Sequence, residues 1–287
     1  MTARLYFIHA LSPIHCGTGH AISGIDLPIA REKPTGTPLV PGSSLKGVLR
    51  ARADNADWVA AVFGPDTDKA SEHAGSVQFS DAHLVFLPVR SVCGTFAWAT
   101  CPSYLRRLAR DTLEFGKQGV EPPAAPANER MVLVTGQTLV AGDKVVFEDF
   151  DFEWKHDDKL GKLASQVAEW VFSDDASRAF FTERVAVVSD DVMSVLQHTA
   201  MEIVARNRID PDTGTVQKGA LWTEEALPIE SLLSGVLLAT PVKPGKDKPA
   251  PEAKALLEHV AGLVKGQTLQ VGGNATVGRG LCHVELV

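Results

Sequence analysis

No run of apolar residues in this chain is long enough to cross a bilayer as a helix. The longest, such as Leu84 to Val89 and Val185 to Val188, have strand length, whereas a spanning helix needs roughly 20 residues. Met1 to Ala10 carries Arg4 but no sustained apolar region followed by a small-residue cleavage site. No secretory signal is therefore read, and a cytoplasmic protein without a membrane partner is expected. Cysteine is sparse: Cys16, Cys93, Cys101 and Cys282 form no C-x-x-C pair, which excludes a disulfide framework and a zinc ribbon. The nine histidines contain no H-E-x-x-H, so a zinc hydrolase finds no support. Positive charge is also short. With 28 Lys and Arg against 35 Asp and Glu the net charge is -7, which excludes a protein that grips nucleic acid over most of its surface. Any such contact must come from a local concentration of basic side chains.

What is present is ample apolar content, 45% of 287 residues, enough for one large domain or two small ones. Arg4 to Ser12 alternates as a strand and feeds a Gly-rich segment, Cys16 to Gly24, that carries His15 and His20 in or beside it. T-G-T-P-L-V-P from Thr35 marks a turn and a short strand. Gly42-Ser43-Ser44 then opens a capped amphipathic helix predicted to run to about Phe63. Strands are predicted at Val77 to Ser80, Ala82 to Ser91, Met131 to Val134, Lys144 to Phe152 and Arg184 to Val188. Helices are predicted at Pro102 to Phe115, Leu160 to Phe172 and Asp174 to Thr182, with a helix-like segment at Asp190 to Ile203. Val120 to Asn128 is a Pro/Ala loop inside the fold, and Val242 to Pro251 a charged loop. A helix at Glu252 to Val264 and strands at Thr268 to Val271 and Leu281 to Leu286 close the chain. This order suits an α+β fold with a ferredoxin-like core and insertions.

Four stretches carry chemistry. Ser43, Lys46, Gly47 and Arg50 share one helix face, and residues 40–52 hold Lys46, Arg50 and Arg52 with no carboxylate. Free N–H groups at a helix start, a hydroxyl and two cations suit a phosphate; an ordinary capped helix with a solvated face fits the same spacing. V-G-G-N-A-T-V-G-R-G, Val271 to Gly280, sets four glycines and Arg279 between two strands. Glycine lets backbone approach a polyanion, although a long hairpin loop would read alike, and neither G-K-S/T nor G-x-G-x-x-G is present. Ala205 to Leu221 reads as a protruding hairpin around D-P-D-T-G, with Arg206 and Arg208 on one arm. Asp26 stands in S-G-I-D-L-P. An ordinary aspartate is a poor base at neutral pH but a good Mg²⁺ ligand, and such a residue also forms turns.

Together and in this order, these stretches resemble the RAMP superfamily, and more closely the backbone subunit of type III-B CRISPR effector complexes. S-P-I-H-C-G-T-G, I-D-L-P-I-A-R-E, P-L-V-P-G-S-S-L-K-G-V-L-R, F-L-P-V-R-S and A-L-W-T-E-E-A-L-P join the terminal glycine loop in the match. The resemblance implies a single RAMP domain over 1–287: a ferredoxin-like (RRM-like) palm with helical insertions and a thumb hairpin near Ile203 to Leu221. It implies copies stacked into a filament along a CRISPR RNA, with the other subunits of the complex, cutting complementary target RNA as an endoribonuclease. It matches Asp26 to the catalytic aspartate and Mg²⁺ or another divalent metal ligand, places His15 in the active-site neighbourhood, and adds Glu225. Ser43, Ser44, Lys46 and Arg50, with Gly272, Gly273 and Arg279, match positions on the guide backbone, and Arg206 and Arg208 are carried as hairpin contacts to RNA. A non-catalytic guide scaffold and a stand-alone RAMP nuclease that trims precursor CRISPR RNA remain as alternatives.

Overall fold

A computed structural model of the chain describes residues 2–19, 24–54, 56–66, 68, 73–116, 118–243 and 250–287. His20, with the middle of the Gly-rich segment, and most of the charged loop after Val242 lie outside the described residues. The first half of the chain contains β1 (Thr2–Ala10), β2 (Leu39–Val40), α1 (Gly42–Arg52), α2 (Ala56–Phe63), β3 (Val77–Phe79), β4 (Ala82–Arg90), β5 (Phe96–Thr100), α3 (Pro102–Phe115) and β6 (Met131–Val134). There follow β7 (Val140–Ala141), β8 (Lys144–Phe147), β9 (Phe150–His156), α4 (Asp158–Val171), α5 (Asp175–Thr182), β10 (Val185–Val187) and α6 (Asp190–Thr199). The last third supplies β11 (Glu202–Ile209), β12 (Val216–Ala226), β13 (Leu232–Ala239), α7 (Ala253–Val264), β14 (Thr268–Gln270) and β15 (Leu281–Leu286).

Among the described residues one 13-stranded sheet runs in the order β14-β15-β1-β13-β4-β5-β10-β6-β9-β8-β7, with β2 on β4 and β3 on β13. It is mixed: β5 with β10 and β6 with β9 are parallel, while β1 is antiparallel to both β13 and β15. β1 shows why the sheet is covered on both faces. Tyr6, Ile8 and Ala10 enter one core with Leu45 and Leu49 of α1 and Leu256, Leu257 and Val260 of α7. Leu5 and Phe7 enter a second core with Leu105 and Leu108 of α3, Leu160 and Leu163 of α4 and Phe181 of α5. Apolar residues in both phases of a strand leave no face for water, so helices must pack on both sides.

Several expectations change; the strand expected over Lys144 to Phe152 is two, β8 and β9, paired antiparallel. The helix from Gly42 is two: Ala53 is extended and its N–H closes on Arg50 O, which ends the first. Its start is capped not by a serine but by Asp81 Oδ1, which accepts from Gly42 N at 2.9 Å. The segment Asp190 to Ile203 leaves the helix after Thr199, and Glu202 already belongs to β11. The strand β5 has no counterpart in the sequence reading: F-A-W-A-T lacks polar alternation and is Ala-rich, and it forms because β4 and β10 sandwich it in the sheet.

Candidate nucleic-acid interface

Among the described strands β11 and β12 pair with each other as an antiparallel hairpin standing off the large sheet, from Glu202↔Ala226 toward a turn at Asp210 to Thr215. Asp210 Oδ1 accepts from Asp212 N at 2.9 Å and Thr213 N at 3.1 Å, an Asx turn that the D-P-D-T-G sequence dictates. Toward its tip the hairpin exposes Ile209, Val216 and Leu221. Apolar side chains held out on an unsupported hairpin are a contact surface in waiting.

The root of the hairpin is clasped from two sides. On one side Leu27 bridges Glu224 in parallel, with Leu27 N donating to Thr223 O and Glu225 N to Leu27 O, each at 3.0 Å. On the other, Glu202 takes a salt bridge from Arg279 at 2.8 Å, and Glu224 accepts from Arg206, Trp222 and Asn274. Glu224 and Glu225 are neighbours on a strand and both are buried. Period-two alternation sends their carboxylates to opposite sides, so Glu225 instead accepts from Ile29 N and Arg31. Buried charges persist only when paired in this way.

Between the two clasped loops lies an open cleft of about 630 Å³, lined by His15, Gly17, Ser43, Ser44, Gly47, Gly272, Gly273 and Asn274 among others. The helix start and the glycine loop thus share one wall-to-wall groove. Gly273 N donates to His15 O at 2.8 Å, and Gly280 N to Pro13 O at 2.8 Å, pinning the loop beneath the groove. Gly272 has φ +88°, and a Cβ there would stand 2.4 Å from His15 O. Gly272→Ala is accordingly expected to cost about 1–3 kcal/mol of local strain and to push the loop off its seat. The check is the midpoint of thermal unfolding of the full chain, which should fall.

His15 is buried, with Nδ1 2.6 Å from Glu225 O. A carbonyl only accepts, so Nδ1 carries the proton and Nε2 is left as the acceptor of the neutral ring. Nε2 lies toward Gly17, where a Cβ would come within 2.8 Å of it. Asp26 is exposed; its Oδ2 accepts from Thr223 N at 2.8 Å and Thr223 Oγ1 at 3.0 Å. These two bonds hold its carboxyl below the usual carboxylate range. β12 is therefore the common mount: Asp26 hangs on Thr223, His15 on the Glu225 carbonyl. The Glu225 side chain is turned away into its ion pair with Arg31.

The basic residues are distributed unevenly. Lys46 is half-buried without a hydrogen-bond or ion-pair partner among the described residues, and burial, with Arg50 nearby, lowers its pKa. Arg50 is spent on Gly64 O, Pro65 O and Asp66, closing the end of α2. Arg279 and Arg206 are held by hairpin carboxylates, while Arg208 is exposed on the hairpin. The polar character of the groove thus comes mainly from hydroxyls and backbone. Sequence reasoning missed Thr223, Arg31, Glu224 and Asn274. The signal for the glutamates was two adjacent acidic residues in an otherwise apolar strand segment, each of which needs its own partner. Among the described residues no cluster of three or more His, Cys, Asp or Glu could hold a metal ion. Asp26 offers a single carboxylate whose Oδ1 has no hydrogen-bond partner among them. A lone carboxylate of this kind could hold an Mg²⁺ that kept most of its waters, not an ion caged by protein.

A hairpin thus stands on a mixed sheet, with a glycine loop and a helix start meeting at its root. The chain belongs to the RAMP superfamily, whose model matches residues 7–283. Among individual proteins, it is 36% identical over its full length to the CRISPR system Cmr endoribonuclease Cmr4 of Pyrococcus furiosus, covering 96% of that protein. It superposes on the crystal structure of oligomeric Cmr4 from Pyrococcus furiosus with a TM-score of 0.77 at 29% identity, covering 100% of this chain and 98% of that one. The same fold recurs in a chain of the cryo-EM structure of the Type III-B Cmr-beta bound to cognate target RNA, with a TM-score of 0.75 at 22% identity and coverage of 100% and 97%. Among the described residues no helix is long and apolar enough to cross a membrane.

Proposed function

We propose that this chain is the guide-RNA-binding backbone subunit of a type III-B CRISPR interference complex, and that it cuts complementary target RNA at regular intervals in the cytoplasm. The observation that carries the reading is the cleft in which the start of α1 and the 272–274 loop face each other at the root of a protruding hairpin. The full-length likeness to a protein named as a Cmr endoribonuclease supports the same assignment. The chain is one RAMP domain over 1–287 with a ferredoxin-like palm. In favour of that palm, β1, α1, β4, β13, α7 and β15 follow each other as strand, helix, strand, strand, helix, strand, and lie side by side as β15-β1-β13-β4.

The guide backbone runs in the cleft along Ser43, Ser44 and Gly272 to Gly273, with Lys46 supplying charge at its edge. Arg50, Arg206 and Arg279 contribute by holding α2, the hairpin and the glycine loop in place. Arg208 and the apolar hairpin tip enter between guide and target. Each copy contacts few nucleotides, and a filament of copies with the other subunits sums those contacts, which reconciles RNA binding with a net charge of -7.

For cleavage, the hairpin displaces a target nucleotide so that its 2′-hydroxyl lines up with the adjacent phosphorus. The 2′-oxygen bonds to phosphorus, the bond to the 5′-oxygen breaks, and the products are a 2′,3′-cyclic phosphate and a 5′-hydroxyl. Asp26, held anionic by Thr223, orients the reacting phosphate rather than taking the proton. His15 Nε2 can accept a proton at the cleft. A divalent ion such as Mg²⁺ bound at Asp26 would neutralise charge on the phosphate. Sequencing the RNA that copurifies with the assembled complex tests the assignment. A ladder of discrete short RNAs with a common 5′ tag is the expected result, and a random cellular population would overturn it.

A further inference from the structure

We propose that Thr223 is a positioning residue that mounts Asp26 on the hairpin, so that the cleaving carboxylate keeps a fixed offset from the strands that separate guide and target. The inference rests on the reading of Asp26 given above. It follows from a closed set of bonds at the hairpin root. Asp26 N donates to Thr223 Oγ1 at 3.1 Å, and that hydroxyl donates in turn to Asp26 Oδ2 at 3.0 Å, while Thr223 N donates to the same oxygen at 2.8 Å. One hydroxyl can accept and donate at once, so the ring is chemically consistent.

An exposed aspartate would otherwise sample its rotamers freely, and ordering a side chain costs entropy that each step of chemistry would have to meet. Here the two oxygens differ: Oδ2 is committed to β12, and Oδ1 has no hydrogen-bond partner among the described residues. The backbone repeats the coupling one residue further on. Leu27 is a strand-like neighbour of Glu224, bonded to Thr223 O and Glu225 N. The loop that carries Asp26 therefore moves with β12, whose outer half forms the hairpin arm. A mispositioned reacting group by as little as about 1 Å can cost on the order of 10²-fold in rate, so the latch is worth more to catalysis than its bonds suggest.

The test uses the assembled complex carrying its guide, with Thr223→Val, Thr223→Ser and Asp26→Ala in this subunit. Valine keeps the shape and the backbone N–H but removes the hydroxyl, whereas serine restores the hydroxyl. Thr223→Val is expected to cut target about tenfold more slowly in single turnover, at unchanged target affinity and guide occupancy, and Thr223→Ser to return within about twofold of the parent rate. A readout independent of activity is hydrogen–deuterium exchange of residues 24–30 in the isolated full chain, which should quicken in Thr223→Val and match the parent in Thr223→Ser. Parent-like cleavage and exchange in Thr223→Val, or a serine variant as impaired as valine, would overturn the proposal. Undiminished cutting by Asp26→Ala would instead overturn the reading of the site itself, a result distinguishable from failure of the latch.

Discussion

Replacing Asp26 with alanine is expected to lower target-RNA cleavage by the assembled complex about 100-fold or more, the scale on which a single preorganised polar group acts at a charged transition state. Guide occupancy and assembly should be unchanged, because Asp26 is exposed and bonds only to Thr223 among the described residues. In the proposed reading its role is one of charge and orientation. The two Thr223 donors stabilise the anion and hold it below the usual carboxylate range, which disqualifies it as a strong proton acceptor at neutral pH. The measurement is single-turnover cutting of a complementary RNA with the guide-loaded complex, alongside quantification of bound guide. Normal cleavage with normal assembly would favour a guide-scaffold subunit and move the chemistry to another chain.

Arg31→Ala should be the most damaging single change to the stability of the site. Arg31 donates to Glu225, to Gly36 O at 2.8 Å and to Gln197 O at 3.1 Å, so it ties the Asp26 loop to β12, to the turn before β2 and to the end of α6. Glu225 is 3% exposed. Removing one partner of a buried pair leaves an uncompensated charge, at a cost of about 3–5 kcal/mol. That is a large share of the roughly 5–15 kcal/mol by which proteins of this kind are stable. The double change Arg31→Ala with Glu225→Gln should lose less than the single one, since no buried charge remains and the amide oxygen can still accept from Ile29 N. Urea denaturation of the full chain reads both. A single variant within about 0.5 kcal/mol of the parent would show that Glu225 is solvated in solution, outside the margin expected for a buried pair.

Local pattern carried much of the fold. Pro102 to Phe115, Met131 to Val134 and Leu281 to Leu286 form the elements their periodicity predicts, with the same boundaries. Departures occur where a distant residue intervenes: Asp81 caps α1 in place of its own serines, and Arg50 closes α2 and allows the chain to fold back. The same holds for the candidate site. The residue types and their order along the chain mark Asp26, His15, the S-S-L-K-G helix start and the glycine loop as chemically able. Nothing in their spacing says that Arg279 and Arg206 answer to Glu202 and Glu224 instead of to a phosphate.

Composition and motif alone determined that the chain builds a large apolar core, holds no apolar run of membrane-helix length and places its glycines and few local cations in particular loops. These properties follow from backbone freedom, side-chain polarity and periodicity, which act over a few residues. Only the tertiary structure decided which of those groups meet. Thr223 is 197 positions from Asp26 along the chain, and Glu225 is 210 from His15. Hydrogen bonds at about 3 Å between such residues depend on how the hairpin root inserts between two loops, a result of packing the whole sheet and not of any segment by itself.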